Sequence, residues 1–211
     1  MKKLLTLLLT AVLALSLTMT LTACGSKSEA SAGEIVGNST VSTGDLIQLG
    51  DIFWRVLDVQ DSKVLIISES TLETRAYHEL GGEITWEHST IRNYLNDEFL
   101  NSTFSTEEQR RIMETAVIND ENPIYGTHGG NDTTDKIFLL SIDEAKEYFA
   151  EDSARIAYGA DGNLSWWWLR SPGNSNHVAA DVYIDGCIYD NNNTYIDDNS
   201  GIRPALWLNT D

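Results

Sequence analysis

The chain has 211 residues, 42% of them apolar, and sets 32 Asp and Glu against 14 Lys and Arg for a formal charge of −18. That balance excludes nucleic acid as a partner, because phosphate binding needs a basic face. It also opposes direct docking on anionic lipid. The acidic residues are spread along the sequence, as on a solvated surface that keeps an exported protein soluble.

Met1-Lys2-Lys3 precedes an uncharged apolar stretch from Leu4 to Leu21, broken only by Ser and Thr, which reads as the positive and hydrophobic regions of a signal peptide. A retained transmembrane helix is the alternative, since roughly 18 apolar residues just span a bilayer. Leu21-Thr22-Ala23-Cys24 decides between them: it resembles the bacterial lipoprotein cleavage box. The resemblance implies a signal peptide over 1–23 and a diacylglyceryl thioether on Cys24, so that the membrane is a partner through lipid. Anchoring is stable once two or more acyl chains are attached. Residues 24–44 are rich in Gly, Ser, Thr and Ala and form a flexible tether. Residues 45–211 are long enough for one domain with its own core. After lipidation only Cys187 keeps a thiol, which excludes an intrachain disulfide.

Leu46 to Gly50, Ile52 to Val59 and Val64 to Ser68 read as short strands of an antiparallel meander, with Gln60-Asp61-Ser62-Lys63 as a turn. Ser89 is placed to cap a helix running to about Leu100, in which Ile91, Tyr94, Leu95 and Phe99 fall near helical spacing. Ser105 with Glu108, and Ser141 with Glu144, have capping-box spacing ahead of two more helices. Asn119 to Asp135, rich in Gly, Asn, Asp and Thr, reads as a surface loop. Strands return at Leu164 to Arg170, Val178 to Ile184, Cys187 to Tyr189 and Ile202 to Leu208, with Asp185-Gly186 as a type I′ hairpin turn. The fold class is α+β, with antiparallel strands at both ends and helices in the middle. Pairing of the first and last strands in one sheet fits that order.

Trp54-Arg55-Val56-Leu57, Ser89-Thr90-Ile91-Arg92, Phe138-Leu139-Leu140-Ser141, Trp168-Leu169-Arg170-Ser171-Pro172-Gly173 and Gly201-Ile202-Arg203-Pro204-Ala205-Leu206-Trp207 together resemble an uncharacterised bacterial domain family common in gut Firmicutes. More distantly, the Trp-Leu-Arg and Gly-Ile-Arg-Pro segments around a long polar stretch are similar to the C-type-lectin-like fold of formylglycine-generating enzymes and of retroelement-diversified binding proteins. The likeness implies a single lectin-like domain, and it carries fold better than function.

Trp166, Trp167 and Trp168 cannot share one side of a strand, and alternation sets Trp167 opposite the other two. At least one fills the core. Trp166 and Trp168 are candidate platforms for stacking sugar or aromatic rings. Arg170 and Arg203 either meet an anionic ligand or tie loops to carboxylates, and the structural role is preferred. Between Asn174 and Ser200 lie Asn174, Asn176, Asp181, Tyr183, Tyr189, Asn192 and Tyr195, of the types that binding loops favour and that turns also use. Calcium on these oxygen-rich loops is an option that the lectin-like resemblance implies, although Asp197-Asp198-Asn199-Ser200-Gly201 fits no EF-hand pattern. His78, His88, His128 and His177 show no ligand spacing for zinc or iron. Copper-dependent formylglycine chemistry needs two thiolates, and Cys187 alone reads as a small buried residue.

These features favour a non-catalytic binding lipoprotein that takes an extracellular glycan or protein ligand through Trp166, Trp168, Asn174, Asn176, Tyr183, Tyr189, Asn192 and Tyr195. An envelope enzyme with an unadvertised site and an acidic scaffold for another envelope protein are the alternatives.

Overall fold

Alternation of apolar and polar residues from Leu46 onward builds the first sheet. In the computed structural model, which describes residues 41–191 and 194–211, β1 (Leu46–Leu49) buries Ile47 and Leu49 and leaves Gln48 outside. The signal peptide, Cys24 and Asn192 lie outside the described residues, as does the tether up to residue 40. Residues 41 to 44, assigned to the tether by composition, are held to the sheet. Val41 packs against the core, and the Gly44 amide donates to the Val56 carbonyl at 2.8 Å.

β2 (Ile52–Gln60) pairs antiparallel with β1 and with β3 (Lys63–Ser68), and its register against β3 shifts between Val56 and Asp58. This bulge lets Val56 and Leu57 both turn inward, which strict alternation forbids. Val64 to Ser68 are all buried, so β3 is covered on both faces. β4 (Thr74–Ala76) then leaves for a second sheet.

A 3-10 turn at Trp86–His88 leads into α1 (Thr90–Tyr94), a π turn (Leu95–Phe99) and α2 (Leu100–Thr103), one continuous helical run. Ser89 caps it as its spacing predicts, its hydroxyl accepting from the Arg92 amide at 3.2 Å. Asn96, in the π turn, donates to the carbonyls of Arg92 and Ile137 and accepts from the amides of Lys136 and Ile137, fastening a distant loop. Both predicted capping boxes are present, on α3 (Thr106–Arg111) and later on α4 (Ile142–Tyr148). The loop read over Asn119 to Asp135 ends sooner, because β5 (Thr115–Val117) pairs with β6 (Thr133–Asp135). Asp135 is buried there and accepts from Trp86 Nε1 at 2.9 Å, Arg92 Nε at 2.7 Å and Thr133 Oγ1 at 2.7 Å.

After α5 (Asp152–Arg155), β7 (Ala157–Tyr158) pairs with β8 (Leu164–Ser165). The single strand expected over Leu164 to Arg170 is therefore two, since β8 serves that hairpin and β9 (Trp167–Pro172) enters the second sheet. β10 (Ala179–Val182), β11 (Ile188–Tyr189) and β12 (Asn199–Gly201) complete that sheet, in the order β11-β10-β9-β12-β4. β13 (Ala205–Asn209) pairs antiparallel with β3, so the last strand joins the first sheet. Strands at both ends, helices between them and one shared core make the fold α+β.

The turn at Asp185-Gly186 is corrected. The Gly186 amide donates to the Tyr183 carbonyl at 2.9 Å, and Asp61 is the single non-glycine residue with positive φ among those described. The turn is therefore type I, closed by Gly186 at φ +85° in a bulge, not type I′, which needs positive φ at both central residues.

Candidate functional site

Strand pairing sets one row of side chains on the same side of the second sheet. Asp181 on β10 lies opposite both Trp168 on β9 and Tyr189 on β11. Trp166 and Tyr183 follow at two-residue spacing from Trp168 and Asp181, so they project to that side too. Together Trp166, Asp181, Tyr183, Tyr189 and Thr194 line a cleft of about 390 Å3.

The cleft has aromatic walls over a carboxylate. Tyr183 and Tyr189 remain 44% and 38% exposed and meet edge to face, with ring centroids 5.4 Å apart. Trp166 is half-buried, and its ring lies 5.9 Å from that of Trp168. Asp181 is only 1% exposed, and its Oδ1 has no hydrogen-bond partner among the described residues. Burial disfavours the charged form and pushes its pKa up to about 6, with Thr194 acting against the shift. The Asp185 carboxylate and then burial raise the Tyr189 phenol above its ordinary value.

Three of the eight residues expected to contact a ligand thus converge: Trp166, Tyr183 and Tyr189. Trp168 does not stand at the surface as expected. It is fully buried, with its indole N–H donating to the Arg75 carbonyl at 2.8 Å, because Tyr77 packs on its ring. Asn174 and Asn176 lie away from the cleft and tie loops, Asn174 to the Asn191 carbonyl at 2.8 Å and Asn176 to the His128 carbonyl at 2.9 Å. Tyr195 is 56% exposed on a neighbouring turn, outside the cleft walls. Asn192 lies outside the described residues. Asp181, named among the polar residues of this stretch but not among the expected ligand contacts, and Thr194, not named at all, complete the cleft, and an Asp inside the apolar run Val178-Ala179-Ala180-Asp181-Val182 is the signal that marks the first.

Both arginines are buried among structural partners. Arg170 forks onto the Glu144 carboxylate, with Nη2 2.9 Å from Oε1 and Nη1 on Oε2, and also donates to the carbonyls of Leu139 and Ile118. For Arg203 the expected carboxylate is replaced by backbone. Its Nε donates to the Ser68 carbonyl at 2.9 Å and its Nη2 to the Glu69 carbonyl at 3.3 Å. Trp167 and Phe149 lie 5.1 and 5.3 Å from its guanidinium. Burial lowers its pKa to about 10, opposed by Glu69 and assisted by Arg55.

Cys187, expected to be buried, is half-buried with Sγ 3.4 Å from Asp152 Oδ2. The bond to Asp152 raises its pKa first, and burial adds to that, which leaves a poor nucleophile. Among the described residues no group of three or more His, Cys, Asp or Glu is placed to hold a metal ion, and Asp198 instead accepts the Tyr195 amide at 3.0 Å. No described helix is long and apolar enough to cross a membrane.

A family model described as a domain of unknown function, DUF6273, matches residues 61–210 and so spans the cleft, Arg170 and Arg203. The chain belongs to this family. No curated protein and no solved structure matches it.

Proposed function

We propose that this DUF6273 domain is a non-catalytic binding module, displayed outside a bacterial cell on lipidated Cys24, whose ligand enters the cleft at Trp166. One observation carries the reading: Trp166, Tyr183 and Tyr189 come from a strand edge, a turn and a neighbouring strand to wall one cleft over a buried acid. Concave sites with aromatic walls and a few fixed polar groups are the usual form of small-ligand pockets. The strands beneath hold these side chains in place without the ligand having to order them. A glycan or a protein side chain is the ligand class, and the lectin-like comparison rests on the Trp-Leu-Arg and Gly-Ile-Arg-Pro segments. Retroelement-driven variation would fall on the exposed Tyr183, Tyr189 and Tyr195.

The test is a glycan and peptide array probed with the full chain and with a Trp166→Ser, Tyr183→Ser, Tyr189→Ser variant. Capture by the wild type that the variant loses, with an unchanged thermal melt, supports the assignment. Capture that survives the triple change moves the binding face elsewhere.

A further inference from the structure

The chemistry of the Trp166 cleft narrows the ligand further, provided that the cleft is the binding site. We infer that it takes a protonated amine, held against the aromatic walls with Asp181 as its counter-ion. Asp181 Oδ1 is a buried acceptor without a hydrogen-bond partner among the described residues, in a residue only 1% exposed that lines the cleft. A buried acceptor without a partner is destabilising, and an N–H donor from a ligand removes that penalty. The lining residues Trp166, Asp181, Tyr183, Tyr189 and Thr194 include no Lys or Arg, so the walls supply no positive charge to the carboxylate.

The walls point the same way. The faces of Trp and Tyr rings carry negative potential and attract cations, most strongly where water is excluded. Tyr183 and Tyr189 stand at 63° to each other, so they present differently oriented surfaces rather than one flat platform. A volume of about 390 Å3 suits a head group and not an extended chain. The formal charge of −18 on the chain raises the local concentration of cations around it. An anionic group would meet Asp181 as a like charge. A neutral sugar hydroxyl would satisfy Oδ1 but leave the buried charge without a counter-ion.

Two sources supply this group, an amino sugar and a lysine side chain, and each has a neutral acetylated counterpart. The full chain in detergent is titrated at pH 7 with glucosamine against N-acetylglucosamine, and with Nα-acetyl-lysine amide against its Nε-acetylated form. Binding is read by calorimetry and by NMR shifts of the Trp166 indole. At least one amine is expected to bind about tenfold or more tighter than its acetylated counterpart, and the pair that responds identifies the source. Asp181→Asn is expected to abolish that preference; if the variant does not fold, the wild-type comparison decides alone. Equal binding within both pairs, or amines that leave the Trp166 signal unmoved, overturns the inference. Should array ligands still depend on Trp166, Tyr183 and Tyr189 in that case, the binding site stands and only its cation preference falls. Array capture independent of those residues removes both.

Discussion

Arg170 and Glu144 form a forked ion pair in which the same carboxylate also caps a helix. Glu144 Oε2 accepts the Ser141 amide at 2.9 Å while both carboxylate oxygens receive the Arg170 guanidinium, whose side chain is 4% exposed. The pair joins the start of α4 to β9, two residues along the same strand from Trp168. Glu144→Ala is expected to lower stability by about 3 to 5 kcal/mol, because a buried guanidinium is left without its charge partner and α4 loses half of its capping box. Glu144→Gln keeps an acceptor for Ser141 and should lose less. Urea unfolding of the two variants checks the order, and equal losses would count against the shared role.

Arg203 stabilises by a different route, through carbonyls and rings. Arg203→Ala is expected to cost about 3 kcal/mol by removing two charge-assisted hydrogen bonds and leaving a cavity beside Trp167 and Phe149. Arg203→Lys should recover only part of this, since an ammonium lacks the planar fork that reaches Ser68 and Glu69 together and stacks on the rings. A lysine variant with the wild-type melting temperature would contradict that geometry.

The buried Asp181 makes stability depend on pH in a stated direction. Its folded pKa of about 6 lies above the ordinary 3.8, so between these values the folded chain binds more protons than the unfolded one. The contribution of this residue therefore falls as pH rises through that window, by about 2 to 3 kcal/mol in all. Tyr189, which shares its cleft, is raised above its ordinary value by Asp185 and burial and stays neutral throughout the window. Asp181→Asn should be more stable than the wild type at pH 7.5, with the difference closing toward pH 4. Denaturation midpoints of both proteins across that range measure it, and a constant difference would falsify the assignment.

Gly186 and Gly162 separate backbone conformation from crowding. Both have positive φ, +85° and +77°, but a Cβ on Gly186 would lie 1.8 Å from the Asp152 carbonyl oxygen, whereas one on Gly162 meets nothing within 4 Å. Gly162→Ala is expected to cost about 1 kcal/mol from conformation alone. Gly186→Ala should cost well more and loosen the Asp152 turn, where Arg155 Nε donates to the Gly186 carbonyl at 2.9 Å. Thermal melts of the two variants check the ranking.

Lipidation is tested on Cys24 directly. Mass spectrometry of the membrane fraction is expected to find a chain that begins at acylated Cys24, and Cys24→Ser to abolish both acylation and processing. A wild-type chain that retains Met1, or a Cys24 without acyl mass, contradicts the anchor.

Sequence alone determined what short-range spacing controls. Ser89, Ser105 and Ser141 cap helices because an N-cap needs a partner only three residues away. The first three strands, and Trp167 opposite its two neighbours, follow from a period of two. Only the tertiary structure decided which of these residues meet. Trp166 and Trp168 share one side of the sheet, yet Trp168 is sealed under Tyr77 and Trp166 is left open, a difference made by chain 89 residues away in sequence from Trp166. Arg203 found carbonyls instead of a carboxylate because β13 pairs with β3 and brings Ser68 beside it. Asp181 joined Tyr189 and Trp166 in one cleft through the registers of three strands and a bulge in β9, where four steps from Trp168 to Pro172 face two steps of β10, and register is a property of strand pairs that no single segment encodes.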